Sequence, residues 1–252
     1  MNAEKMASWM ELNIARCSDG SRAFFETEAF PWVQTVEANW LVIRKELDLL
    51  LSDNEVIPNL QDVSPEQSPV AQGESWKSFF LYGFGHKIER NCARCPGTAH
   101  LVAKIPGLKM AMFSILAPKS HIPPHRGPYK GLLRYHLGLI IPAPGSSCRI
   151  RVGDEIRSWQ EGRSLIFDDS YDHEAWNESN QHRVILFVDF VRPLPFPLSL
   201  LNRLTIRQIS KMPFVTDAVN RLTLNQYPQR GRKRTESKID NQNYDKEQID
   251  EA

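Results

Sequence analysis

The stretch 121–142, HIPPHRGPYKGLLRYHLGLIIP, and its continuation 148–193, CRIRVGDEIRSWQEGRSLIFDDSYDHEAWNESNQHRVILFVDFVRP, decide how this chain folds. Short apolar or alternating runs are separated by clusters of Gly, Pro, Asn, Asp and Ser. That punctuation predicts short strands, over 109–117, 132–141, 148–152, 156–159, 164–167 and 182–191. Many short strands at fairly even spacing predict a sandwich or barrel.

Outward from this region the period becomes helical. Residues 31–51 predict one helix, because Val33, Val36, Trp40, Val42, Ile43, Leu47 and Leu50 recur at three-to-four spacing and Pro31 suits a first turn. The polar, proline-containing segment 52–75 reads as a surface loop, and the aromatic run 76–85 as strand-like. Residues 87–105 predict a helix interrupted near Pro96-Gly97. It carries Cys92-Ala93-Arg94-Cys95; a single CxxC without a second pair points to packed thiols rather than to a zinc or redox centre. Helical spacing returns over 194–224, cut by Pro195, Pro197 and Pro213. The expected organisation is a helical segment 1–75 packed on a barrel domain 76–193, a helical segment 194–227 and a charged tail 228–252. The tail reads as disordered from its composition, with a basic cluster at 230–234. The fold class expected is mainly β with flanking helices, a cupin-like jelly roll.

Composition narrows the function. A chain of 252 residues can bury one good-sized core. With 31 basic and 30 acidic residues it has no overall bias toward nucleic acid or a membrane surface. No apolar window is long enough for an integral membrane segment, and the N-terminus lacks a signal-peptide pattern. Four cysteines are too few for a disulfide scaffold, which makes a cytoplasmic location the simpler expectation.

Chemistry singles out His125 and His173, each at the edge of a strand-like run. Two imidazoles can hold divalent iron and leave positions open for O2 and a co-substrate. Pro123 and Pro124 stiffen the approach to His125. Polar residues interrupt otherwise apolar strands: Arg134 and His136 in LLRYHLGLII, and Arg183 in HRVILFVDF. Burying an arginine costs several kcal/mol unless an anion meets it, and a dicarboxylate co-substrate would be such an anion. Period-2 alternation puts Arg134 and His136 on the same face, so both point inward or neither does. Asp168, Asp169 and Asp172 precede His173 and read either as turn and capping residues or as partners of the ligands.

These residues resemble the catalytic domain of the aspartyl/asparaginyl β-hydroxylases, iron(II)- and 2-oxoglutarate-dependent dioxygenases built on a double-stranded β-helix. The likeness runs from about Trp76 to Pro193, and FPWVQTVEANWLVIRKEL resembles the segment before the family's barrel. The resemblance implies that His125 in PPHRG and His173 in YDHEAW are the Fe(II) ligands. Gly127 stands where the wider superfamily carries an aspartate, a carboxylate this family lacks. Arg183 matches the arginine that binds the distal carboxylate of 2-oxoglutarate, with Ser114 in MFSIL assisting. His136 and Arg134 match residues near the co-substrate's chelating end or the substrate.

The implied activity is oxidative hydroxylation of a C–H bond, with succinate and CO2 formed from 2-oxoglutarate. The expected substrate is a peptidyl Asp or Asn or a free amino acid; the alternatives are a lipid acyl chain or a non-catalytic cupin-like binding protein. One departure bears on this. The animal peptide hydroxylases carry a second basic residue two positions before the equivalent of Arg134, where this chain has Leu132. The HIPPHRGPYKG loop is closer to bacterial members, some of which hydroxylate the acyl chain of lipid A.

Overall fold

A computed structural model describes residues 3–17, 19–53, 57–65 and 75–224. The expected tail and much of the 52–75 loop lie outside these residues. In chain order the strands are β1 (Phe24–Phe25), β2 (Trp76–Gly83), β3 (His86–Lys87), β4 (Leu108–Leu116), β5 (Ser120–His125), β6 (Leu132–Ile140), β7 (Cys148–Val152), β8 (Glu155–Ser158), β9 (Ser164–Phe167), β10 (His173–Asn177) and β11 (Arg183–Val191). They form two antiparallel sheets, a larger one in the order β1-β9-β6-β11-β4-β2-β3 and a smaller one in the order β5-β10-β7-β8. This is the expected jelly roll.

Alternation along the central strands builds two cores. In β11, Val184, Leu186, Val188 and Phe190 face one way with Leu133, Tyr135, Leu137 and Leu139 of β6. Helices cover that outer face, α2 (Trp32–Ala38) and α3 (Trp40–Ser52) through Val33, Val36, Ile43, Leu47 and Leu50. Ile185 and Phe187 of β11 face inward and meet Ile150, Val152 and Ala175 of the smaller sheet. An inward side chain on β11 or β6 therefore lies between the sheets.

The structure departs from the expected elements at named points. The helix over 31–51 is two helices, broken at Asn39, whose backbone is non-helical (φ −107, ψ 14). The break turns Val42 outward, to 45% exposure. The 87–105 helix is α5 (Glu89–Arg94) and α6 (Pro96–Val102), divided where proline was expected to divide it. Cys92 and Cys95 are free and buried in the outer core, and burial raises both thiols, Cys95 to about 12. The expected loop contains α4 (Leu60–Val63), whose Leu60 and Val63 are buried in the inner core.

Four strands are additional to the expected set. Of these, β5 holds Pro123 and Pro124, which sequence alone reads as a rigid loop; it is tolerated as a strand because it is the edge of its sheet. The other substantial one is β10, which follows a turn-rich segment. Three further helices complete the fold: α1 (Ala3–Ala15), α7 (Leu198–Ile209) and α8 (Pro213–Leu224).

A buried ion cluster anchors the segment leading into β10. Asp168, fully buried, accepts from Lys130 Nζ (2.7 Å), Arg192 Nη1 (2.6 Å) and the hydroxyl of Ser170 (2.6 Å). Asp168→Ala would leave two buried cations without their carboxylate, so a loss of about 3–5 kcal/mol is expected in urea unfolding. A loss below about 1 kcal/mol would show that the cluster does not anchor this segment.

Candidate active site

His125 closes β5 and His173 opens β10, and the two are register partners across adjacent strands. Their ring centroids are 4.1 Å apart. His125 Nδ1 lies 2.8 Å from the carbonyl of Pro123, and His173 Nδ1 lies 2.9 Å from that of Tyr171. A carbonyl can only accept, so Nδ1 carries the proton in both rings and the Nε2 lone pairs are left free. Burial disfavours the imidazolium in both. It pushes His173 down to about 3, with Arg134 and His125 adding to the effect. Two neutral imidazoles with fixed tautomers and adjacent lone pairs have the chemistry of metal donors. Among the described residues no group of three or more His, Cys, Asp or Glu could hold a metal ion.

Arg134 and His136 both point inward from β6, as their linked placement required. The six residues Ser114, His125, Arg134, His136, His173 and Arg183 line one cavity between the sheets. Two tryptophans that the sequence reading did not single out, Trp76 and Trp159, complete its wall. Trp76 Nε1 donates to Ser114 Oγ at 2.9 Å. Trp159 lies under the Arg183 guanidinium, 4.6 Å from ring centroid to Cζ.

The two arginines differ in their partners. Arg134 donates from Nε and Nη2 to Asp189 (2.9 and 3.2 Å) and its Nη2 forms an ion pair with Asp169 (2.8 Å), so its charge is met inside the protein. Arg183 is 2% exposed, and its Nε and Nη1 have no hydrogen-bond partner. Burial pulls its guanidinium down to about 10. Both ring nitrogens of His136 are likewise buried without a partner, as is the indole N–H of Trp159. Native interiors rarely leave so many donors unmet in one place, and such a cluster marks where a polar ligand belongs.

The three aspartates before His173 take different roles. Asp168 is the structural anchor described above. Asp172 pairs at the surface with Arg151 (2.6 Å). Asp169 is the one that reaches the site: burial, with Asp189 and Asp168 nearby, lifts it to about 7 against the pull of Arg134. Gly127 lies directly against it. The Gly127 N–H donates to the Asp169 carbonyl at 2.7 Å, and a Cβ at Gly127 would overlap the Asp169 carboxylate.

A second, larger cleft of about 400 Å³ adjoins the cavity and shares Trp76, His125, Arg134 and Phe187 with it. Its walls are mainly apolar, including Leu60, Phe80, Met110, Leu132, Phe214 and Leu222. Leu132, the departure noted in the sequence, is part of this wall.

The aspartyl/asparaginyl beta-hydroxylase family model matches residues 37–193. The ornithine lipid ester-linked acyl 2-hydroxylase of Rhizobium tropici is 46% identical over 198 residues, covering 78% of this chain and 70% of that protein. The aspartyl/asparaginyl beta-hydroxylase of Mus musculus is 38% identical over 173 residues, covering 67% of this chain but 22% of that protein. The human aspartate beta-hydroxylase domain-containing protein 2 is 36% identical over 127 residues, covering 47% of this chain and 34% of that protein.

His136 gives a test of the cavity's electrostatics. Burial first, then Arg134, Arg183 and His173, holds it well below its ordinary value. Below about pH 6.5 the unfolded chain takes up a proton there that the folded chain refuses, so this group's contribution to stability falls as pH falls. His136→Phe should remove that loss. In metal-free urea titrations from about pH 7 to pH 5, the variant should gain on the wild type by up to about 1.4 kcal/mol per pH unit. A difference that stays constant with pH would show that His136 is not held neutral.

Proposed function

The chain belongs to the aspartyl/asparaginyl β-hydroxylase family, and from that premise we propose that it is an iron(II)- and 2-oxoglutarate-dependent hydroxylase of a lipid-borne acyl chain. The observation that carries the co-substrate is the unmet pair of nitrogens on buried Arg183. A guanidinium in that state fits a carboxylate, which it can meet with a two-pronged pair of hydrogen bonds. His125 and His173 fit Fe(II) through their free Nε2 atoms, and a bidentate 2-oxo acid would supply ligands the protein does not. Iron so bound, with 2-oxoglutarate and O2, would supply the oxidant for C–H hydroxylation, with succinate and CO2 as co-products.

The protein's own residues do the positioning. Arg183 and the Ser114 hydroxyl hold the distal carboxylate, and the Trp159 face beneath Arg183 keeps water from competing for it. His136, neutral and caged by Phe167 and Phe187, donates toward the inner end of the cavity. Arg134 holds Asp169 beside the histidine pair and stands where the cavity meets the cleft.

The apolar cleft favours an acyl chain over a peptidyl or free amino acid. Beside the histidine pair, the cation that would meet a substrate carboxylate, Arg134, is engaged by Asp169 and Asp189, and Leu132 stands where the animal peptide hydroxylases carry a base; the cleft's other cations, Lys109 and Arg126, are outnumbered there by apolar side chains. The similarity to the Rhizobium tropici acyl 2-hydroxylase supports the same choice.

Incubation with Fe(II), 2-oxoglutarate and each substrate class, followed by mass spectrometry, tests the proposal. Gain of one oxygen on an ester-linked acyl lipid, with matching succinate, is expected. Oxygen gain only on an Asp/Asn peptide or free amino acid would overturn the substrate, and no succinate with any of them would leave a binding protein. Arg183→Ala should raise the 2-oxoglutarate KM by at least about 30-fold, the equivalent of about 2 kcal/mol; an unchanged KM would remove the co-substrate assignment. Gly127→Asp should abolish turnover despite adding a carboxylate, because the new side chain would displace Asp169 from Arg134. Turnover equal to wild type would contradict that packing argument.

A further inference from the structure

The outer face of α7 carries a surface that neither the cavity nor the cleft uses. The helix packs inward through Leu198, Leu201, Ile206 and Ile209, against Met10 and Ile14 of α1 and against Tyr129. On the opposite side Leu200 is 52% exposed and Leu204 45%, and Phe196, just before the helix, is 81% exposed. Arg203 and Arg207, four residues apart, lie on the same outward face, Lys211 follows just past the helix's end, and all three are exposed. None has an ion-pair partner among the described residues. Between Asp189 and Asp217 the chain has no acidic residue, although its 31 basic and 30 acidic residues nearly balance overall.

This combination is local. The exposed Leu41 and Leu49 of α3 share their helix with Glu46 and Asp48, and Arg44 there is paired with Asp48 at 2.9 Å. On α7 the exposed apolar residues are interleaved with unpaired cations alone. That is the pattern of a helix lying in a lipid–water interface, apolar side chains entering the acyl boundary and cations meeting phosphates. The helix is also joined to the cleft. Two residues past Lys211, α8 begins at Pro213 and sends Phe214, Ala218 and Leu222 into the cleft wall.

We infer that the outer face of α7, with Phe196, seats the protein on an anionic lipid bilayer. A second copy of the chain is the poorer occupant, because a two-fold contact through this face would bring Arg203, Arg207 and Lys211 against their own counterparts. No helix among the described residues is long and apolar enough to cross a membrane, so this contact is with the surface. The inference deepens the acyl-chain reading and rests on it only for the choice of a lipid surface.

Flotation of the full chain with vesicles of phosphatidylcholine, with and without phosphatidylglycerol, provides the test. Binding to the phosphatidylglycerol vesicles that weakens as salt rises is expected. Arg203→Glu/Arg207→Glu should weaken it by at least about 30-fold, from about one kcal/mol per cation. Leu200→Ser/Leu204→Ser should weaken it as well, at unchanged salt dependence. Both variants should keep wild-type turnover on a detergent-dispersed acyl substrate. Vesicle binding unaltered in both variants would overturn the inference and move the contact elsewhere on the chain. So would a dimer, seen by light scattering, that both variants dissolve. Acyl hydroxylation without vesicle binding defeats this inference alone, and vesicle binding without acyl hydroxylation defeats the proposed substrate alone.

Discussion

The register of β11 is the constraint on which the site depends. This strand lies between β4 and β6, paired along nearly its whole length on both sides. Its even-numbered residues fill the core under the helices, and its odd-numbered residues face the smaller sheet. A slip of one residue would turn Val184, Leu186, Val188 and Phe190 into the cavity and drive Arg183 and Asp189 into the outer core. The apolar burial that fixes the strand therefore also fixes where the guanidinium points. The same logic holds on β6, where Tyr135 and Leu137 face the helices and Arg134 and His136 face the cavity.

Within that frame, charge is handled in two ways. Lys130 and Arg192 pair with Asp168 where the chain enters β10, and Arg134 pairs with Asp169 and Asp189 beside the histidine pair. These clusters hold segments in place. Arg183 and His136 are left without partners in a space enclosed by aromatic rings. A low-dielectric surround makes each unmet donor more costly and makes a fitting ligand bind more tightly, since both effects come from the same loss of water. The cavity is small and polar at its inner end and opens beside an apolar cleft, so a charged co-substrate and an apolar chain would be held by different walls. The outward face of α7 adds a third environment, with cations exposed to solvent and free to meet an anionic surface.

Much of this is legible in the residues. The strands over 132–140, 148–152, 164–167 and 183–191 follow from alternation and turn residues, and the inward pairing of Arg134 with His136 follows from period two. Other elements were not, and two of them show why. β5 contains consecutive prolines, which local rules place outside a ladder. It is a strand because an edge needs donors on one side alone. The single helix expected over 31–51 is broken at Asn39, and Val33 and Val36 before the break and Ile43, Leu47 and Leu50 after it all reach the outer core. Trp76 and Trp159 gave no signal, since a tryptophan in a strand is ordinarily core.

The sequence by itself determined the fold class, the faces of the central strands and the residue types of the site, because these rest on local periodicity and on the cost of burying a polar group. Only the tertiary structure decided which polar groups find partners. Arg134 and Arg183 look alike in sequence, each a cation interrupting an apolar strand. Asp189 lies directly opposite Arg134 in the register of β6 and β11, whereas Arg183 is paired with Leu116 of β4. Partnership is a matter of distance across strands far apart in sequence, and that distance exists only once the sheets have formed.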